Sequence, residues 1–403
     1  MNLSILRKSN PKAKNVFNFF APYYYLNKQN IGQPLKGKAV FWGTCFKLLS
    51  GDLNIDEYVK KTNECLDYVR RECSDCELYY KPHPSEKEEL KLLDLRSFNI
   101  VSDSATAEIY LWKNLGQVVY SFSILSNAAI SAYDFGINSY VFYRLLRPAF
   151  GQATFEALED YFQAMPSSFF INNLAESLRE NRVELVKDNV EEAGLKQLLE
   201  ENNGKIWFNI VEPALAMVAV SLVKQIKEIL PDRKICLLIS KQRRWSAINI
   251  DDIGIFFDEI KFLPRVSFSL KPGKILEIIG QALKVKNLAI LKNDVIISFL
   301  NFPNFSFVEN CLISYFKKNK RVAICSRINF DTMYALKYSQ FFAVGDFKTK
   351  PASQFFGKIL EPILGLNKTI YLQYGDGKVF NVTRYEKPLE EIFDRVYILN
   401  RQN

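Results

Sequence analysis

The chain has 403 residues, 48% of them hydrophobic and 24% charged, which is material for two or three globular domains. Its single histidine, His83, excludes paired-histidine zinc sites, HExxH metalloproteases and two-His metal centres. Of the formal net charge of +9, eight charges fall within the first 51 residues, where Arg7, Lys8, Lys12, Lys14, Lys28, Lys36, Lys38 and Lys47 precede the first acid, Asp52.

Interleaved with that opening charge is Val16-Phe-Asn-Phe-Phe-Ala-Pro-Tyr-Tyr-Tyr25. Basic residues beside aromatics suit an anionic membrane surface; the alternative is a solvated arm whose rings pack on the first domain. No nucleic-acid motif accompanies the charge, so no nucleic-acid partner is expected. Lys38–Trp42 is a short apolar run ending in Gly43, and Ile55–Arg71 carries apolar residues at helical spacing. Cys76–Tyr80 is a strand that runs straight into Lys81-Pro-His-Pro84. Helix Ser85–Leu93, strand Asn99–Val101, helix Ala105–Lys113, strand Val118–Ser121, helix Ile124–Asp134 and strand Ser139–Tyr143 follow. Strands alternating with helices through short loops predict a parallel sheet with helices on both faces.

Residues 151–204 are charged and carry no strand signal, which predicts a helical connector. A second alternation then opens with strand Lys205–Ile210 and a helix begun by Pro213. Strands Lys234–Ile239, Glu259–Leu263, Asp294–Ser298, Arg321–Cys325 and Thr369–Gln373 continue it, with helices at Lys274–Val285 and Phe307–Lys318. The expected organisation is a Rossmann-like domain with a basic aromatic arm over 1–150, a connector over 151–204 and a second Rossmann-like domain over 205–403. The seven cysteines are odd in number and form no disulfide framework, and Cys73-Ser-Asp-Cys76 is a lone CxxC, which together fit a reducing compartment. The N-terminus has no apolar signal-peptide core, and the longest nearly apolar stretch, Ala214–Val223, is far short of the ~20 residues of a span. A cytoplasmic protein with peripheral contact to the inner membrane is expected.

Three places carry chemistry. The Lys81-Pro-His-Pro84 turn lies at the carboxyl end of a strand, where open α/β sheets bind ligands, and its prolines fix the backbone around the imidazole. Tyr120-Ser-Phe-Ser-Ile-Leu-Ser126-Asn127-Ala leads from a strand into a helix, where hydroxyls and backbone N–H groups either bind phosphate or simply cap the helix. Glu108 opens the helix between these motifs; a carboxylate there suits ribose hydroxyls or the helix dipole.

A strand ending in Tyr80-Lys-Pro-His-Pro84, a following Ala107-Glu108 helix and the Tyr120-Ser…Ser126-Asn127-Ala turn resemble the nucleotide-binding domain of bacterial sialyltransferases. The nearest likeness is the lipooligosaccharide sialyltransferase family (glycosyltransferase family 52), with the bacterial polysialyltransferases related; it covers roughly residues 36 to 145. It implies that His83 and a serine, Ser123 or Ser126, hold the phosphate of a CMP-sugar, with Asn127 at the same helix start, Lys81 adding charge and Glu108 on the ribose. Trp207-Phe-Asn-Ile-Val-Glu-Pro-Ala-Leu-Ala216 resembles the family's opening strand and turn, with Glu212-Pro213 in place of Thr-Pro. Tyr371-Leu-Gln-Tyr-Gly-Asp-Gly377 resembles its acidic motif, whose second acid is the catalytic base; Gly375 stands at the first acidic position. That makes Asp376 the candidate base, with Asp251-Asp252-Ile-Gly254 and Glu212 as rivals and a Gly-Asp-Gly hairpin turn as the structural alternative.

In that family the acceptor-binding half comes first, whereas here the Lys-Pro-His-Pro half does. The resemblance therefore implies a GT-B glycosyltransferase, two Rossmann-like domains facing a cleft, with circularly permuted domain order. It implies inverting transfer of sialic acid from CMP-sialic acid to a bacterial surface glycan such as lipooligosaccharide or capsule, and the basic aromatic arm Phe17–Tyr25 points to a lipid-linked acceptor met at the membrane. No metal or other cofactor is expected, because CMP carries one phosphate. The alternatives are transfer of another CMP-activated acid such as Kdo or pseudaminic acid, a CDP-alditol phosphotransferase, and a non-catalytic relative.

Overall fold

A computed structural model of the chain describes residues 16–19, 36–44, 53–83, 86, 88–103, 105–162, 165–182, 194–210, 215–240, 250–263, 271–300, 307–326, 355–367, 369–373, 381–385 and 389–399. The strands, in chain order, are β1 (Val16–Phe19), β2 (Lys38–Trp42), β3 (Glu77–Lys81), β4 (Asn99–Ile100), β5 (Val118–Ser123), β6 (Asn138–Val141) and β7 (Ile206–Ile210). They continue as β8 (Ile235–Ser240), β9 (Glu259–Leu263), β10 (Val295–Leu300), β11 (Lys320–Ser326), β12 (Thr369–Gln373), β13 (Asn381–Tyr385) and β14 (Arg395–Leu399). The helices used below are α1 (Ile55–Glu72), α2 (Ala107–Lys113), α3 (Asn127–Asp134), α4 (Gln152–Phe162), α5 (Leu195–Glu201), α6 (Ala216–Ile229), α7 (Ile250–Gly254), α8 (Pro272–Lys286) and α9 (Phe307–Tyr315).

Two all-parallel sheets result, in a two-domain, Rossmann-like α/β fold. The first has the order β4-β3-β2-β5-β6. Counted from β2 this is 3-2-1-4-5, so the direction of winding reverses between β2 and β5. One face of this sheet is aromatic. Phe41 stacks on Tyr80 at 5.9 Å between ring centroids and Phe122 on Tyr140 at 5.4 Å. The amphipathic α1 covers that face, with Tyr58, Thr62, Cys65, Leu66 and Val69 buried at helical spacing and Tyr68 edge-on to Phe142. Asn54 caps α1 by accepting the Glu57 N–H at 3.2 Å, Asp56 and Glu57 occupy its first turn and Arg70 and Arg71 its last, each matched to the helix dipole.

The second sheet has the order β9-β8-β7-β10-β11-β14-β1. From β7 this is 3-2-1-4-5-6, with β1 added at the β14 edge. Strands β7 and β10 are buried at every position, as both faces of a parallel sheet require. Trp207 ties the amino-terminal end of β7 to the β10 turn, its indole N–H donating to Asp294 at 2.8 Å. Among the described residues no helix is long and apolar enough to cross a membrane.

Three expectations are revised. The aromatic arm does not pack as a loop on the first domain where it is described: Val16–Phe19, rich in the residues strands favour, pairs with β14 and joins the second sheet. Residues 152–182 are more than a connector. Phe162, Met165, Phe169, Phe170 and Ile171 enter the first hydrophobic core, Tyr68 donates to the Glu176 carbonyl, and the Leu178 N–H donates to Glu72; the chain divides into its two units at residues 187 and 188. Finally, Thr369–Gln373 is a strand, but it pairs antiparallel with β13 in a ribbon of its own, outside the parallel sheet.

Candidate functional site

In an open α/β sheet, ligands collect outside the carboxyl ends of the strands where the winding reverses. In the first unit that place is the end of β2. Trp42, near that end, is in register with Lys81 on β3 and with Ser123 on β5. Two strand spacings put the Lys81 and Ser123 backbones about 10 Å apart. The histidine turn therefore leaves on one side of β2 and the serine turn on the other.

The histidine turn is built on a residue the sequence pattern passed over. Glu86 is 5% exposed, and both of its carboxylate oxygens are engaged. One accepts the Tyr80 hydroxyl at 2.7 Å and the other the backbone N–H of His83 at 3.0 Å, while the Glu86 N–H donates to the His83 carbonyl at 2.8 Å. Gly43 makes room for this carboxylate. Its N–H donates to the Lys81 carbonyl at 2.9 Å, and a Cβ there would lie 2.0 Å from Glu86 Oε2 and 2.8 Å from Tyr80 Oη. The signal in the sequence is the spacing of His83 and Glu86, a glutamate that reaches back three residues to a backbone N–H as in the glutamate half of a capping box. The His83 ring is half-buried, and desolvation pulls its pKa below the ordinary value. Burial thus disfavours the charged form of the ring, whereas an anion brought beside it favours that form.

Lys81 has a different task from the one its place in the motif implied. It is 7% exposed, donates to the Asp103 carbonyl at 2.7 Å and lies over the Tyr110 ring at 5.4 Å; burial lowers its pKa. Trp42 meets the same Tyr110 ring edge-on and donates to Ser121 at 2.8 Å. Lys81 thus clasps the segment before α2 to the end of β3. Lys81→Met is expected to cost about 1–2 kcal/mol in unfolding free energy. If the turn binds the CMP that the family resemblance implies, its affinity should fall far less than in His83→Ala, which titration calorimetry checks.

The two serines separate. Ser123 is fully buried and accepts the Ser126 N–H at 3.1 Å, which closes the strand-to-helix turn. This is why α3 starts at Asn127 and not at Ile124. Ser126 is the N-cap of α3, accepting the Ala128 N–H at 3.2 Å, and being half-buried it is the serine nearer solvent. Asn127 is exposed and accepts the Tyr161 hydroxyl at 2.8 Å, fastening α4 beside the site. Glu108, in the first turn of α2, accepts the Ser131 hydroxyl at 2.9 Å and so ties α2 to α3.

Asp376, which falls between β12 and β13 in the chain, and its rival Glu212, which falls between β7 and α6, lie outside the described residues. Asp251 and Asp252 fall on the backbone of α7, away from a strand end. The first unit thus assembles His83, Ser126, Asn127 and Glu108 around one sheet end, with Glu86, Gly43, Lys81 and Ser123 supporting them. Such an arrangement can hold an anionic group between an imidazole and a helix start, with a carboxylate nearby for hydroxyls. Comparison of the sequence with models of known protein families and with curated proteins gives no match.

Proposed function

We propose that the chain is a glycosyltransferase that moves sialic acid from CMP-sialic acid to a bacterial surface glycan with inversion, its two parallel sheets being the halves of a GT-B enzyme in exchanged order. One observation carries this reading: the proline-flanked turn of the only histidine and a serine-capped helix start flank the end of β2 at the point where the sheet's winding reverses. In this reading His83 and the start of α3, with Ser126 as its cap, stabilise the phosphate of the departing CMP, on which charge grows in the transition state. Glu108 takes ribose hydroxyls, and Asp376 removes the proton of the acceptor hydroxyl. The resemblance of the motif residues to the sialyltransferase family supplies the identity of the sugar, and the 3-2-1-4 winding of both sheets supports the two-half plan.

The test is release of CMP from CMP-sialic acid, CMP-Kdo and CMP-pseudaminic acid, each with and without a glycan acceptor. Acceptor-dependent release from CMP-sialic acid is expected. Preference for another CMP-sugar reassigns the donor, phosphate transfer into product makes the chain a phosphotransferase, and binding without turnover makes it a non-catalytic relative.

The lowered pKa of His83 adds a pH signature. A bound phosphate raises the imidazole pKa, so the complex takes up a proton that the free protein does not hold. CMP should therefore bind more tightly as pH falls from about 8 toward about 6. Because CMP itself titrates in that range, the measure is the difference between wild type and His83→Ala, which should shrink toward the alkaline end to what the neutral ring contributes as a hydrogen-bond donor.

A further inference from the structure

The second sheet holds a polar place that the proposed nucleotide site does not use. Its winding reverses between β7 and β10, and ligands of such sheets gather at the carboxyl ends of those strands. Asn209 of β7 is in register with Ser298 of β10. Paired residues of a parallel ladder share a face, so the two side chains stand side by side on backbones about 4.8 Å apart. Asn209 is one residue inside the end of β7 and Ser298 two inside the end of β10.

The same cross-strand row continues to Leu238 of β8 and Ala323 of β11, both fully buried. Asn209 and Ser298 are as buried as these apolar neighbours, at 0% and 1% exposure, yet neither Nδ2 nor Oδ1 of Asn209 nor Oγ of Ser298 has a hydrogen-bond partner. Helix α8 packs on this face, with Ile278, Ala282 and Val285 in one cluster with Trp207, Leu238 and Ile296. Gln281, on the same buried stripe of α8, has its Oε1 buried without a partner as well. Buried polar groups are nearly always paired. Packing alone does not account for an amide and a hydroxyl in a row that leucine and alanine fill on either side.

We infer that Asn209 and Ser298 mark a recess toward the ends of β7 and β10 that takes hydroxyl groups of a neutral sugar. The donors and acceptors select the ligand. Asn209 Oδ1 needs a donor, Asn209 Nδ2 needs an acceptor, and Ser298 serves as either. A phosphate or carboxylate only accepts, and it would set negative oxygens against the Asn209 carbonyl oxygen. A hydroxyl donates and accepts, and adjacent hydroxyls on one ring meet the whole set. Naming this sugar as the acceptor of the transfer rests on the glycosyltransferase reading; the recognition of sugar hydroxyls does not.

The experiment is saturation-transfer NMR on the full chain with methyl β-galactoside, methyl α-glucoside and methyl N-acetyl-β-glucosaminide, for wild type, Ser298→Ala and Asn209→Leu. At least one glycoside should bind wild type, with its dissociation constant rising about tenfold or more in each variant, as expected when a ligand hydroxyl loses its partner. CMP affinity should be unchanged in both. Glycosides that fail to bind wild type, or bind the variants equally well, overturn the inference and leave ordered water only in the recess. Sugar binding that the variants abolish, in a protein that binds no CMP, upholds the recess and removes the transferase reading. Ser298→Ala deletes one hydroxyl from a packed face and carries the test alone if Asn209→Leu does not fold.

Discussion

Under the proposed transfer, His83→Ala is expected to lower turnover of the CMP-sugar by about 10²- to 10³-fold, the usual effect of deleting one group that stabilises charge growing in a transition state. The loss should fall mainly on kcat. A half-buried neutral imidazole does little for the ground-state phosphodiester, which carries one negative charge, and most for the departing phosphate as it gains a second. The turn should persist, because two of the contacts that shape it are made by the backbone of His83: the N–H goes to Glu86 Oε2 at 3.0 Å and the carbonyl accepts the Glu86 N–H at 2.8 Å. Far-UV dichroism and the melting temperature should match wild type. Turnover within a few-fold of wild type would remove His83 from the leaving-group site. Loss of turnover with an unaltered pH dependence of CMP binding would separate its part in catalysis from its part in binding.

The strands of both sheets were legible because a parallel sheet buries both faces and leaves short, continuous apolar runs such as Lys38–Trp42 and Ile206–Ile210. Three strands escaped: β13 of the separate ribbon, and two of the second sheet. Val16–Phe19 and Arg395–Leu399 pair with each other across nearly the whole chain, and no local pattern records a partner that distant. The packing of residues 152–182 on the first core was missed for a related reason. Its anchors, Phe162, Phe169 and Phe170, lie in an uncharged stretch, residues 161–175, that shows neither strand alternation nor helical spacing, and the charged residues that follow it dominate the composition of the segment. In the site, residue types predicted location but not task. Lys81 and Ser123 were picked out correctly as residues of the sheet's end, yet each is turned into the domain by a partner, Asp103 and the Ser126 N–H, that spacing alone does not reveal. Ser126 and Asn127 sit where a strand-to-helix turn puts them. Asn209 looked like one more strand residue, and only its register with Ser298 shows two polar side chains sharing an apolar row.

The second large effect concerns the support beneath the histidine turn, where Gly43 and Glu86 should behave as one unit. Glu86→Ala removes the carboxylate that accepts from the Tyr80 hydroxyl and the His83 N–H, and losing two hydrogen bonds to a buried carboxylate costs about 3–6 kcal/mol together. For a unit of this size that is a fall in melting temperature of roughly 10 °C. Gly43→Ala should reach a similar loss by the opposite route. The new Cβ would lie 2.0 Å from Glu86 Oε2, so the carboxylate must leave its place, abandoning both donors while still buried. The two losses therefore share a cause, and that sets the outcome of the double substitution. Once Glu86 is alanine, the carboxylate that a Cβ at residue 43 would strike is gone and only the Tyr80 hydroxyl, at 2.8 Å, still crowds it. Gly43→Ala should then add little, and the double variant should melt close to Glu86→Ala alone. Additive losses would mean that the glycine serves the chain by some means other than the approach of Glu86. Glu86→Gln keeps a carbonyl oxygen for one donor but turns an amide N–H₂ toward the other, so its stability should fall between wild type and Glu86→Ala. If the turn is what aims the imidazole, the same order should appear in turnover: wild type first, Glu86→Gln next, and Glu86→Ala with Gly43→Ala last, each with His83 present but misplaced.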